Sequence, residues 1–125
     1  MKIKVQISIG ELFDKISILE IKKNMISDPT KITNILKELI TLQKVSEKKN
    51  LPYKKDANYK KLFKVNSLLW DIEEGKRSHE KKNLFNKDFI QLARQVYIQN
   101  DNRAKIKKAI NKKYNSEIVE EKSYE

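Results

Sequence analysis

Residues 57–82, ANYKKLFKVNSLLWDIEEGKRSHEKK, and residues 87–113, KDFIQLARQVYIQNDNRAKIKKAINKK, decide the fold. Both place apolar side chains at helical spacing, so each is predicted to form a long amphipathic helix. Asp56 and Asn86 stand where N-caps belong. Each stripe changes character halfway along. In the first, the face of Leu62, Leu69 and Trp70 runs on through Glu73, Arg77 and Glu80. In the second, the face of Phe89, Ala93 and Val96 runs on through Asn100, Arg103 and Lys107. Charges aimed at a core are costly unless they are paired or serve a function. The polar continuations are therefore the place to look for a site.

Working outward toward the N-terminus, Asp28-Pro29 is a strong helix start, with Asp as cap and Pro in the first turn. A helix is expected from there to about Ser46, with Ile32, Ile35, Leu36, Leu39 and Leu42 on one face. Ser8 with Glu11 three residues later forms a capping box, so a helix is expected from Ile9 to Ile26. Its main apolar arc holds Leu12, Phe13, Ile16 and Leu19. A second patch, Ile18, Ile21 and Met25, points nearly the other way. A helix apolar on two sides is central in a bundle or half of an oligomer interface, which makes a homodimer the leading expectation for self-assembly. Residues 2–7 alternate polar and apolar, the period of a half-buried strand.

The acidic tail 116–125 follows the lysine-rich end of the last helix. It can fold back on that helix or pair with the N-terminal strand through Ile118 and Val119. The reading is a single all-α domain over residues 1–125, built as a four-helix antiparallel bundle or paired helical hairpins. A short ribbon is allowed for where strand and tail meet.

Composition narrows the chemistry. Gly and Pro number two each, which argues against a turn-rich β architecture. Cysteine is absent, which removes disulfides, thiolate metal ligands and a cysteine nucleophile and fits a cytoplasmic location. Residues 1–10 lack the apolar core of a secretory leader, and no stretch has the run of apolar residues that a membrane span needs. The formal charge is +11, carried by 25 Lys against three Arg. Lys, Asn and Ile are what AT-rich coding favours, and arginine, the usual reader of bases and phosphates, is scarce. Nucleic acid is therefore the weakest of the candidate partners.

No Gly-rich phosphate loop or nucleophile elbow is present. His79 is the only histidine and reads as a surface residue near a helix end, and no metal or cofactor is implied. In a chain that otherwise chooses lysine, Arg77, Arg94 and Arg103 mark positions where a planar fork matters. One reading is structural ion pairing, for example Arg77 with Glu73 or Glu80. The other is an anion site built from Arg77, Arg94, Arg103 and Lys107, with Glu73, Glu80, Tyr97, Asn100 and Asp101 as the supporting polar stripe.

Four blocks also resemble a family of small uncharacterised bacterial and phage helical proteins. Gly10 to Lys22, GELFDKISILEIK, resembles the family's GELIDKITILEIK start. Asn66 to Arg77, with Leu69-Trp70-Asp71-Ile72-Glu73, is similar to its central block. Phe89 to Tyr97 and Asn100 to Ala104 resemble a third block, and Ser116 to Tyr124 a fourth. The chain departs at Gly75 and Lys76, where the family has a carboxylate and an aliphatic residue, so the third helix is expected to lose regularity past Glu74. The resemblance carries no activity. It implies characteristic polar positions that overlap the stripes, and a setting near surface-polysaccharide assembly. Three function classes follow: a non-catalytic interaction or adaptor protein acting on a protein partner or on itself; a binder of a small anionic ligand such as a phosphorylated metabolite or nucleotide sugar, with or without catalysis; and a nucleic-acid binder.

Overall fold

The computed structural model describes residues 1–122, and within them four helices: α1 (Ile9–Met25), α2 (Pro29–Lys48), α3 (Ala57–Lys81) and α4 (Lys87–Lys113), with a single 3-10 turn at Tyr53–Lys55 before α3. Local chemistry explains each start. Ser8, Asp28, Asp56 and Asn86 are extended and accept backbone N–H groups of the first turn through their side chains. The ends of α2, α3 and α4 share one device that the sequence reading missed. Asn50, Asn83 and Asn115 each take a left-handed conformation, with φ between 54 and 56°. The next residue's N–H then reaches back five positions, as in Leu51 to Ser46, Leu84 to His79 and Ser116 to Asn111. These are Schellman caps with asparagine in the place glycine usually takes, and they let a chain with two glycines end three helices sharply.

The contacts set the topology. Phe13 meets Tyr59, and Asp14 and Ser17 meet Asn66, so α1 runs parallel to α3. Gly10 lies on Lys107 and Asn111, and Asp14 on Arg103, so α1 runs antiparallel to α4. Helices α3 and α4 form an antiparallel hairpin, and α2 folds back on α1. Helix α1 touches all three other helices. Its main apolar arc, Leu12, Phe13, Ile16 and Leu19, is buried within the chain; of the second patch Ile21 is buried, Ile18 is half-buried and Met25 is exposed. The core centres on Phe13, whose ring is edge-on to Tyr53, Tyr59 and Tyr114 at 6.2, 6.1 and 5.5 Å, with Leu39, Leu62 and Ile110 around it.

Two expectations are corrected. Residues 1–7 form no strand: Ile3 and Val5 are exposed, and among the described residues no second strand lies beside them to complete a ladder. The tail takes the other course open to it and lies along α4; residues 123–125 of that reading lie outside the described residues. Helix α3 does not lose regularity at Gly75 but continues to Lys81. The missing side chain there lets Leu92 of α4 come close, 3.1 Å from where a Cβ would stand, so contact between the helices offsets the poor helix propensity of glycine.

Candidate functional site

The polar half of the α4 stripe does face another helix. Asp14 of α1 is 1% exposed. The guanidinium of Arg103 grips it in a fork, with Nε donating to Oδ1 at 2.9 Å and the second donor reaching Oδ2. Asn66 of α3 donates to the same Oδ1 at 2.8 Å and to Ser17 Oγ at 2.7 Å, while Ser17 Oγ donates to the Asp14 carbonyl at 2.8 Å. One turn along, Lys107 donates to Glu11 at 2.6 Å and lies 3.8 Å from Asp14 and 3.6 Å from Glu120. The hydrogen bonds that Arg103 donates to Asp14, then the charges of Asp14 and Glu11, raise its basicity against the opposing effect of burial. A buried carboxylate is tolerable only with such partners, and here α3 and α4 supply them.

Gly10 makes this approach possible. A Cβ on it would stand 2.5 Å from the Lys107 carbonyl oxygen. Its N–H donates to Asn111 Oδ1 at 2.6 Å, and Asn111 in turn donates to Glu120 at 3.3 Å. Ser116 accepts the Ile9 N–H at 3.1 Å. The tail is thus tied to the N-terminus of α1. Further along, Lys108 pairs with Glu121 at 2.7 Å and Lys122 pairs with Asp101. Burial alone would raise the Glu120 carboxyl. Hydrogen bonds from Ser8, its own backbone and Asn111, with the charge of Lys107, outweigh burial and hold it below its ordinary value.

A second charged cluster lies at the same end of the molecule. Asp56, the α3 cap, also accepts from Lys113 at 2.7 Å and Tyr114 at 2.6 Å. Burial would raise its carboxyl, but these hydrogen bonds, the Tyr59 N–H and the Lys113 charge lower it overall. Burial, then the bond to Asp56, pushes the Tyr114 hydroxyl up to about 12.

Between the tail and α4 runs an open groove of about 620 Å³. Tyr97, Asn100, Asp101, Arg103 and Lys107 line it, with Glu120, Glu121 and Lys122 on the tail side. The structure therefore brings together five of the residues picked from the sequence. It leaves the others apart. Arg77, Arg94 and Glu80 are exposed and line no part of this groove, and Glu73 pairs with Lys76 of its own helix at 3.5 Å. The physical reason is where α1 stops. Extending the register of Asp14 and Ser17 on Asn66 and of Asp14 on Arg103 along straight helices puts Met25 near the level of Gly75 and Leu92, so Arg77 and Glu80 lie past the end of α1. The polar continuation of α3 marks the end of the core, while that of α4 meets α1. Tyr97, read as inward, is exposed on the groove wall, and Trp70 is half-buried. His79 Nδ1 lies 2.8 Å from the Gly75 carbonyl oxygen within α3, an acceptor to which it can only donate.

The residues that sequence reasoning missed are Glu11 and Asp14 as partners of Lys107 and Arg103. Taken locally, Glu11 reads as the capping-box residue and Asp14 as an acid near the start of the helix that suits its dipole, and both lie about ninety positions from their partners. Among the described residues, no group of three His, Cys, Asp or Glu stands close enough to hold a metal ion, no helix is long and apolar enough to cross a membrane, and every buried side-chain nitrogen and oxygen has a hydrogen-bond partner. Comparison with curated proteins and with solved structures finds no match. A family profile matches residues 3–125, nearly the whole chain, and the protein belongs to that family, DUF6165, a family of unknown function.

Proposed function

We propose that this chain is a non-catalytic interaction protein, and that its convergent polar residues are a structural lock rather than a reaction centre. The observation that carries this reading is the pairing of Arg103: its fork is spent on Asp14, a carboxylate of the same chain, inside a network where the buried groups satisfy one another. Electrostatic catalysis and anion capture need donors aimed at empty space, and here the donors are aimed at the protein. The role falls on a partner surface, with a protein or a second copy of the chain as occupant. Surface-polysaccharide assembly at the cytoplasmic side of a bacterial or phage-infected cell is the setting that the family resemblance suggests.

A second reading is favoured by the groove itself. Tyr97, Asn100, Arg103 and Lys107 share a wall large enough for a small anion such as a sugar phosphate. Nucleic acid fits less well, because Asp101, Glu120 and Glu121 interrupt the cationic face. A thermal-shift screen against inorganic phosphate, glucose 1-phosphate, a uridine-diphosphate sugar and a short oligonucleotide separates the readings, with Arg103→Met alongside. The interaction reading expects no shift and a variant that melts earlier. A ligand at about 100 times its Kd adds about 2.7 kcal/mol, so a rise in Tm with one anion that Arg103→Met abolishes overturns it.

A further inference from the structure

We propose that the free end of the α3–α4 hairpin docks on an anionic lipid surface, with Leu84 and Phe85 entering the interface and lysines seated among the headgroups. This inference goes beyond the interaction reading and rests on a different part of the molecule. With Met25 near the level of Gly75 and Leu92, the hairpin extends about six residues beyond the last cover from α1, or about 9 Å. At this end Leu84, Phe85 and Ile90 are 45, 55 and 53% exposed. They cannot fold inward. Leu84 follows the left-handed Asn83 cap and its N–H is bonded to His79, while Asn86 caps α4 on the other side. Phe85 is braced edge-on against Phe89 at 5.2 Å.

Charge identifies the occupant. From Arg77 to Ile90 stand four cations, Arg77, Lys81, Lys82 and Lys87, against two carboxylates, Glu80 and Asp88, while Lys76 is paired with Glu73. Lys81, Lys82 and Lys87 are exposed and make no salt bridge among the described residues. The end of a two-helix hairpin is convex and too narrow for the roughly 1,000 Å² a specific protein contact needs, whereas a bilayer accepts a convex apolar tip. Lysines on flexible stems suit headgroups in the same way, keeping their charge at the surface while the tip inserts. The α2–α3 loop at the opposite end is a built-in control. Lys48, Lys49, Lys54 and Lys55 are exposed there, but Tyr53 is buried and no large apolar side chain from Ser46 to Ser67 is exposed.

The test is co-sedimentation of the full chain with vesicles of neutral phosphatidylcholine and with vesicles containing about 30% phosphatidylglycerol. Wild type is expected to pellet with the anionic vesicles only, less as salt rises. The double variant L84S/F85S is expected to lose more than tenfold in partitioning while staying folded at the assay temperature, since both side chains are about half exposed and lie outside the core. K81E/K82E is expected to lose at least about fivefold per position, and K54E/K55E much less. Wild type that stays in the supernatant overturns the proposal, as does L84S/F85S binding as well as wild type. So does light scattering that shows a dimer dissociated by L84S/F85S without vesicle binding, which assigns the tip to a second copy.

Discussion

The two ends of the α3–α4 hairpin are made of the same two helices and have opposite surroundings. At the base, Tyr59, Leu62 and Asn66 of α3 and Ile110 and Asn111 of α4 are buried under α1. At the tip, Leu84, Phe85 and Ile90 are exposed. Apolar and polar residues occur at both ends, so composition does not separate them. Coverage does. Where α1 lies across the hairpin, a carboxylate such as Asp14 is desolvated and must be paired. Where α1 has ended, Arg77 and Glu80 are ordinary solvated charges and cost nothing. The same pattern of polar residues on a helix face is a structural lock at one end and plain surface at the other.

The largest expected effect tests that contrast directly. Arg103→Met leaves Asp14 buried without its fork and should cost about 3–5 kcal/mol, whereas Arg77→Met at the tip should fall within about 0.5 kcal/mol. Urea unfolding of the two variants measures both, and equal losses would erase the distinction between base and tip. The glycines sharpen it at the backbone level. Gly10→Ala sets a methyl against the Lys107 carbonyl oxygen and should cost about 1–3 kcal/mol. Gly75→Ala meets only the flexible end of Leu92 and gains helix propensity, so it should stay within about 1 kcal/mol of wild type in either direction.

A smaller effect is carried by pH. Asp56 and Glu120, both on the base side, are held below their ordinary values. A carboxylate whose folded value is depressed adds stability that is present above its unfolded value and lost as pH falls through the folded one. The melting temperature should therefore be insensitive to these groups at neutral pH and fall below about pH 4. Asp56→Asn keeps a competent helix cap but removes the charge facing Lys113, so it should melt earlier at pH 7 and show a shallower acid slope. The smallest effect belongs to the tip. Asn83→Ala puts an alanine in the left-handed region at about 1 kcal/mol, and Asn83→Gly should be close to neutral. Stability loss in Asn83→Gly would mean that the asparagine side chain itself holds the tip.

Much of the fold was legible because it rests on short-range chemistry. Ser8, Asp28, Asp56 and Asn86 cap helices three residues away or less, and α4 begins and ends where its apolar period does. The candidate site was legible only in half. Arg103 and Lys107 stood out as cations on an inward face, but Glu11 looked like a capping-box residue and Asp14 like dipole compensation, because nothing local connects residue 14 to residue 103. Arg77 looked equivalent to Arg103 because periodicity along one helix does not reveal where its neighbour stops, and Arg94 is exposed on a face of α4 turned away from the groove.

By itself, then, the sequence determined the four helices, their N-caps and the apolar faces they must bury, since these depend on spacing within a turn or two. Tertiary structure decided the parallel seating of α1 on α3, the tail's course along α4 instead of a ribbon with residues 2–7, and the pairing of Asp14 with Arg103. Each of these is a contact between residues far apart in the chain, chosen by which packing leaves no charge buried alone and no backbone in collision, as Gly10 on Lys107 illustrates.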